Sequence, residues 1–88
     1  MRLAAKRDLN EQPIVDALEA IGAKVTRVSQ GGVPDLLVSY KGLWHMLEVK
    51  GKNGKLTEDQ ESFIEYHGSC KISVVRTVTE ALEAIGAT

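Results

Sequence analysis

An aspartate at position 35, a glutamate thirteen residues on at 48, and a lysine two further at 50 frame the stretch PDLLVSYKGLWHMLEVK. Carboxylates in pairs hold hard divalent cations such as Mg²⁺ and Mn²⁺, which take a few oxygen ligands and keep water positions open. Such a cation beside a lysine is equipment for hydrolysing a phosphodiester. The ion lowers the pKa of a bound water and withdraws charge from the phosphoryl oxygens. The ammonium orients the attacking water or stabilises the pentacovalent transition state. The same three residues could instead close on one another as a salt bridge at two strand ends, with no ion. The bare pattern occurs often by chance, so the surrounding elements must discriminate.

Lys41-Gly42 separates DLLVSY from LWHMLEVK and predicts an antiparallel hairpin, although Lys is a poorer first turn residue than Asn or Asp. A two- or four-residue loop gives one register, with Ser39 facing Trp44, Leu37 facing Met46 and Asp35 facing Glu48. Side chains alternate, so Asp35, Leu37, Ser39, Trp44, Met46, Glu48 and Lys50 share a face. Leu36, Val38, Leu47 and Val49 share the other, with Tyr40, Leu43 and His45 near the turn. Both faces read as largely apolar, which predicts strands covered on two sides. Asp35 and Glu48 should then have Cβ atoms ~4.5–5.5 Å apart. Like charges there repel, and partial burial adds to the cost. Lys50, ~6.6 Å along the strand, relieves this only in part. A hard cation bridging both acids relieves it better.

The remaining elements follow from caps and periodicity. NEQPIVDALEAIGA reads as a first helix, with Asn10 as N-cap, Pro13 in the first turn and Gly22 as the stop. KVTRVS follows as a short alternating strand, and QGG is a connector. GKNGK is a loop after the hairpin, and LTEDQESFIEYHG is a second helix with a Thr57–Gln60 capping box and Gly68 as its stop. KISVVR is a fourth strand, and TVTEALEAIGA is a last helix capped from Thr77 or Thr79. The order α-β-β-β-α-β-α predicts an α/β fold, a mixed four-stranded sheet flanked by helices. ALEAIGA occurs at 17–23 and again at 81–87, but the flanks differ. Two amphipathic helices each ended by glycine account for it better than a duplication.

The 88 residues make one domain spanning 1–88, with a thin core that a homodimer would supplement. The single Cys70 excludes an intramolecular disulfide and reads as a small buried apolar residue in a reducing compartment. With His45 and His67 as the only histidines, a zinc site is not expected. The basic start carries no long apolar core of a signal peptide, and no apolar run nears the ~20 residues that span a bilayer. The expected location is cytoplasmic. Net charge is −1, yet Lys41, Lys50, Lys52 and Lys55 share a stretch whose only acid is Glu48. A locally basic face on a nearly neutral chain follows, unless these lysines are ordinary solvated charges.

GGVPDLLV, LEVKG and GKLTEDQESFIE, after a helix opening with NEQPIVDALEAIGA, together resemble the VRR-NUC (virus-type replication-repair nuclease) branch of the PD-(D/E)xK nuclease superfamily. The likeness runs roughly from residue 10 to 80 in the family's order. It implies a restriction-endonuclease-like core and a Mg²⁺- or Mn²⁺-dependent deoxyribonuclease without an organic cofactor. It also implies that Asp35 and Glu48 ligate the metal with the main-chain carbonyl of Val49, and that Lys50 is the catalytic lysine. Glu11 matches the acid that completes such metal sites, or is simply a glutamate favoured by the helix dipole. Gln60 matches a glutamine near the active site, or serves only its cap. Family members cut branched DNA such as four-way junctions and flaps, and the small ones act as homodimers. A short form of this kind resembles those of phages and bacteria, hence a bacterial or phage-infected cell.

Lys52 and Lys55, in the Gly-rich loop after the site, are the expected phosphate contacts. Gly32, with Gly31, would let backbone approach a phosphate, or would merely make the turn before Pro34. Trp44 reads as core or dimer contact ahead of base stacking. Tyr66 and His67, at the end of the second helix, could touch DNA. A different class remains open: a non-catalytic DNA-binding or assembly module on a nuclease-like fold. A site-specific nuclease of the same superfamily fits less well, since no extra recognition domain is present.

Overall fold

The computed structural model describes residues 7–88; Arg2 and Lys6 of the basic start lie outside them. The chain runs α1 (Glu11–Ala20), β1 (Lys24–Arg27), β2 (Leu36–Tyr40), β3 (Leu43–Val49), α2 (Glu58–His67), β4 (Ile72–Val75) and α3 (Val78–Ala84), the order expected. The strands form one sheet in the order β1-β2-β3-β4. β1, β2 and β3 are antiparallel neighbours. β4 returns through α2 to lie parallel to β3. The sheet is therefore mixed, with β3 as the strand where its direction rule changes.

The hairpin register is the one the turn dictates: Ser39 pairs with Trp44 and Leu37 with Met46, and the ladder ends at Leu36 and Leu47. Lys41 and Gly42 both take positive φ, +50° and +78°. That is the two-residue turn whose twist suits a hairpin. Lysine has a steric cost there. Its ammonium lies over the Tyr40 ring, 5.4 Å from the centroid, an attraction that offsets part of the cost.

Leu36, Val38, Leu47 and Val49 all face a core completed by Ile14, Val15 and Leu18 of α1, Val75 of β4, and Ala81 and Ile85 around α3. Burying each of these larger side chains contributes about 1.5–3 kcal/mol. The other face departs from the expectation of two covered faces. Leu37 and Met46 are only half-buried, and Trp44 is 71% exposed. Alternation identifies which residues share a face, but a helix must lie over that face to bury it. α2 crosses on that side without burying any of its own residues. Cys70 differs as well: it is exposed in the link between α2 and β4 instead of buried.

The repeated ALEAIGA heptapeptides end their helices identically. Gly22 and Gly86 take φ of +92° and +76°. Ala23 N donates to Leu18 O and Ala87 N to Leu82 O, the six-residue closure of a glycine-stopped helix. Yet Ile21 is 41% exposed while Ile85 is 4% exposed. Local sequence determines the backbone ending, and tertiary position determines burial.

Candidate active site

Asp35 and Glu48 meet at the open end of the hairpin, one step beyond the last β2–β3 pair. Asp35 Oδ2 accepts from Val49 N at 2.8 Å, which fixes the aspartate against β3. Glu48 is 2% exposed although it lies on the less covered face. Burial raises its carboxyl from the ordinary 4.5 to about 8, and a hydrogen bond to Asp35 and the charge of Asp35 push the same way. Lys50 opposes the rise, and Asp8 adds to it. The protonated form of Glu48, hydrogen-bonded to Asp35, is thereby favoured.

Gln60 bonds both to its cap partner and to Glu48. Its Oε1 accepts from Thr57 N at 2.8 Å, and Gln60 N donates to Thr57 Oγ1 at 3.2 Å, closing the capping box. Its Nε2 then donates to Glu48 Oε2 at 3.1 Å. The start of α2 is brought this close by Gly32. A β-carbon at Gly32 would lie 3.1 Å from Asp59 O, and its φ of +80° favours glycine besides. The close approach that Gly32 permits in this structure is thus to the backbone of α2.

Lys50 follows β3 directly and is half-buried. Its N–H donates to Val75 O at 3.0 Å, and its carbonyl accepts from Asn10 Nδ2 at 2.9 Å. Asn10 occupies the N-cap position of α1 as expected, but its side chain makes no cap hydrogen bond. The same Nδ2 also donates to Arg76 O at 2.9 Å, so the amide ties α1 to the ends of β3 and β4. Lys52 and Lys55 are exposed on the loop beyond.

Glu11 is 2% exposed, and its carboxylate accepts from Arg7 Nη1 at 2.9 and 3.1 Å and from Arg27 Nε at 3.0 Å. A buried acid needs such partners. Among the described residues no three His, Cys, Asp or Glu side chains gather into a group able to hold a metal. A pair suffices for Mg²⁺, which uses one or two carboxylates and completes its shell with water and phosphate. The donors present, the carboxyl oxygens of Asp35 and Glu48, are hard. They fit such an ion.

Three residues near the site escaped the sequence reading: Asp8, Asn10 and Arg76. Asp8 acts on Glu48 electrostatically. Asn10 and Arg76 act on the main chain around Lys50. Asn10 carried a capping signal that pointed elsewhere. Arg76 carried none.

The model of the VRR-NUC domain family matches residues 4–78. The chain belongs to the VRR-NUC family. A solved structure described as a VRR_NUC domain superposes with a TM-score of 0.68 at 26% identity, covering 85% of this chain and 88% of that one. No curated protein matches. The VRR-NUC family is a family of nucleases, which makes this chain a nuclease-type domain with DNA as its class of substrate. No helix among the described residues is long and apolar enough to cross a membrane.

Proposed function

We propose that this VRR-NUC domain is an endonuclease that hydrolyses phosphodiester bonds of branched DNA, four-way junctions or flaps, during replication, recombination or repair in a bacterial or phage-infected cell. The observation that carries this reading is the pairing of buried Glu48 with Asp35, with Lys50 beside them. Asp35, Glu48 and the Val49 carbonyl would hold Mg²⁺ or Mn²⁺. When bound, that ion supplies Lewis acidity toward the scissile phosphate and a lowered pKa for water. Lys50 orients the attacking water and offsets charge developing on the phosphoryl oxygens. Gln60 holds Glu48 in place through its amide. Lys52 and Lys55 contact flanking phosphates, which fix the position of the strand without reading its sequence. Glu11 stays outside this ligand set while Arg7 and Arg27 engage it.

The protein acts in this reading as a homodimer, so that two sites meet two strands of a junction. Trp44 and Leu43, 71% and 63% exposed, lie at the hairpin turn where a second copy would cover them. A panel of single-stranded, duplex, flap and four-way-junction DNA, incubated with and without Mg²⁺ or Mn²⁺, tests the whole. Metal-dependent cutting of the branched members, absent in Lys50→Ala, is the expected result. Cutting by Lys50→Ala at the wild-type rate would remove the lysine's assignment. DNA binding without cutting under every condition would favour a non-catalytic module.

A further inference from the structure

We propose that Arg76 is a positioning residue for Lys50, acting through the Gly51–Gly54 turn; the proposal rests on the nuclease reading above. Arg76 directly follows β4, and its Nη1 donates to two carbonyls at once, Gly51 O at 2.6 Å and Gly54 O at 2.7 Å. Gly54 N also donates to Gly51 O at 3.1 Å. One guanidinium nitrogen therefore holds both ends of a tight turn. Charge-assisted bonds of this length are the stronger kind.

The turn is the backing of the lysine. A β-carbon on Gly54 would lie 3.6 Å from Lys50 Cδ, so Gly54 faces the aliphatic stem of Lys50 at about a methyl's width. The main chain of Lys50 is separately tied, its N–H to Val75 O and its carbonyl to Asn10 Nδ2. Those bonds fix where the side chain begins. The Gly51–Gly54 turn limits where it can go, and Arg76 holds that turn. Arg76 is itself anchored, since its N–H donates to Glu80 Oε1 at 2.7 Å and its carbonyl accepts from Asn10.

A lysine side chain has four rotatable bonds, and a displacement of about 1 Å at a reacting centre can cost about a hundredfold in rate. A wall along the stem restricts that freedom without touching the ammonium. Arg76 also lines a surface hollow with Asp8, Asn10 and Lys52, where a cation could simply attract DNA. The two roles differ in what they change. Positioning Lys50 acts on kcat, whereas attracting DNA acts on KM.

The test compares wild type, Arg76→Met and Arg76→Lys on the best-cut DNA of the panel, with folding checked by circular dichroism. Hydrogen exchange of the Gly54 amide is followed by NMR in the same three proteins. Arg76→Met is expected to lower kcat about 10–100-fold with KM within about threefold, and to speed Gly54 exchange about tenfold or more. Arg76→Lys, which returns a donating nitrogen, should recover most of both. A normal kcat despite fast Gly54 exchange overturns the proposal, as does a rise in KM alone. If Arg76→Met does not fold, Arg76→Gln takes its place, with kcat expected to fall in the order wild type, Lys, Gln; equal kcat in all three overturns the proposal. If wild type cuts but the variants cut equally fast, only the role of Arg76 fails. If wild type cuts no DNA, the nuclease reading fails and the proposal goes with it.

Discussion

The side-chain amide of Gln60 accepts from Thr57 N at 2.8 Å with one end and donates to Glu48 Oε2 at 3.1 Å with the other. One residue thereby caps α2 and orients an acid on β3. The two duties separate by mutation. Gln60→Glu keeps a capping-box acceptor but sets a carboxylate against Glu48. It should melt within a few degrees of wild type while cleaving at least about tenfold more slowly. Gln60→Ala should lose the acceptor for Thr57 N–H as well, at about 0.5–1.5 kcal/mol, while Thr57 Oγ1 still caps the N–H of residue 60. Thermal unfolding alongside kcat/KM distinguishes the two, and equal cleavage by Gln60→Glu and wild type would remove Gln60 from the site.

The raised carboxyl of Glu48 makes stability depend on pH. The unfolded chain loses that proton near 4.5, while the folded protein keeps it to about 8. Between those values the folded state binds more protons, so in EDTA stability falls as pH rises from about 4.5 to about 8 and levels off above. The loss should be on the order of a few kcal/mol. Urea unfolding of wild type and Glu48→Gln across this range measures it, because the glutamine variant lacks the contribution. Parallel curves would contradict the raised carboxyl of buried Glu48.

The same proton opposes a cation. Below pH 8, Mn²⁺ entering between Asp35 and Glu48 must expel it. Affinity should then rise up to about tenfold per pH unit toward 8. Calorimetry in buffers of different ionisation enthalpy should show close to one proton released per Mn²⁺ at pH 6.5. Binding that ignores pH would place the ion elsewhere.

Glu11 separates fold from chemistry. With Arg7 and Arg27 on its carboxylate, Glu11→Ala leaves two guanidinium groups facing a buried gap. It should destabilise the fold by about 2–3 kcal/mol, below the usual loss for a buried pair because both arginines are partly exposed. Mn²⁺ affinity of the folded variant should stay within about threefold of wild type. A stable variant with much weaker Mn²⁺ binding would instead make Glu11 a ligand.

Gly32→Ala tests how α2 is seated. The added methyl meets Asp59 O at 3.1 Å on a backbone with φ of +80°. A cost of about 1–3 kcal/mol is expected from chemical denaturation. The Gln60–Glu48 hydrogen bond should weaken with it, lowering cleavage more than DNA binding.

Much of this was legible from residue type and spacing. An even-length turn at Lys41-Gly42 allows one register, and that register alone brings Asp35 to Glu48. Thr57 and Gln60 announced the cap of α2 because capping is settled within four residues. What stayed hidden depends on segments far apart in sequence. Asn10 looks like an N-cap locally, yet its amide is drawn to carbonyls 40 and 66 residues away. Arg76 has no local signature, since its partners are carbonyls that any residue carries. Trp44 reads as core or dimer contact by type, and its exposure, beside an α2 that buries none of its own residues, leaves out the core.

That division by sequence distance has a counterpart in the order of assembly. The hairpin closes over a short loop and is entropically cheap, so it can join Asp35 to Glu48 early. The ties on Lys50 need β4 and α1 in place, contacts that close much longer loops. A partly folded chain thus carries the repelling acids before it carries a steadied lysine. Mildly acidic conditions, which keep Glu48 protonated, should ease that early step. The slow part of folding then falls at the docking of the two ends of the chain, where the nuclease site is completed.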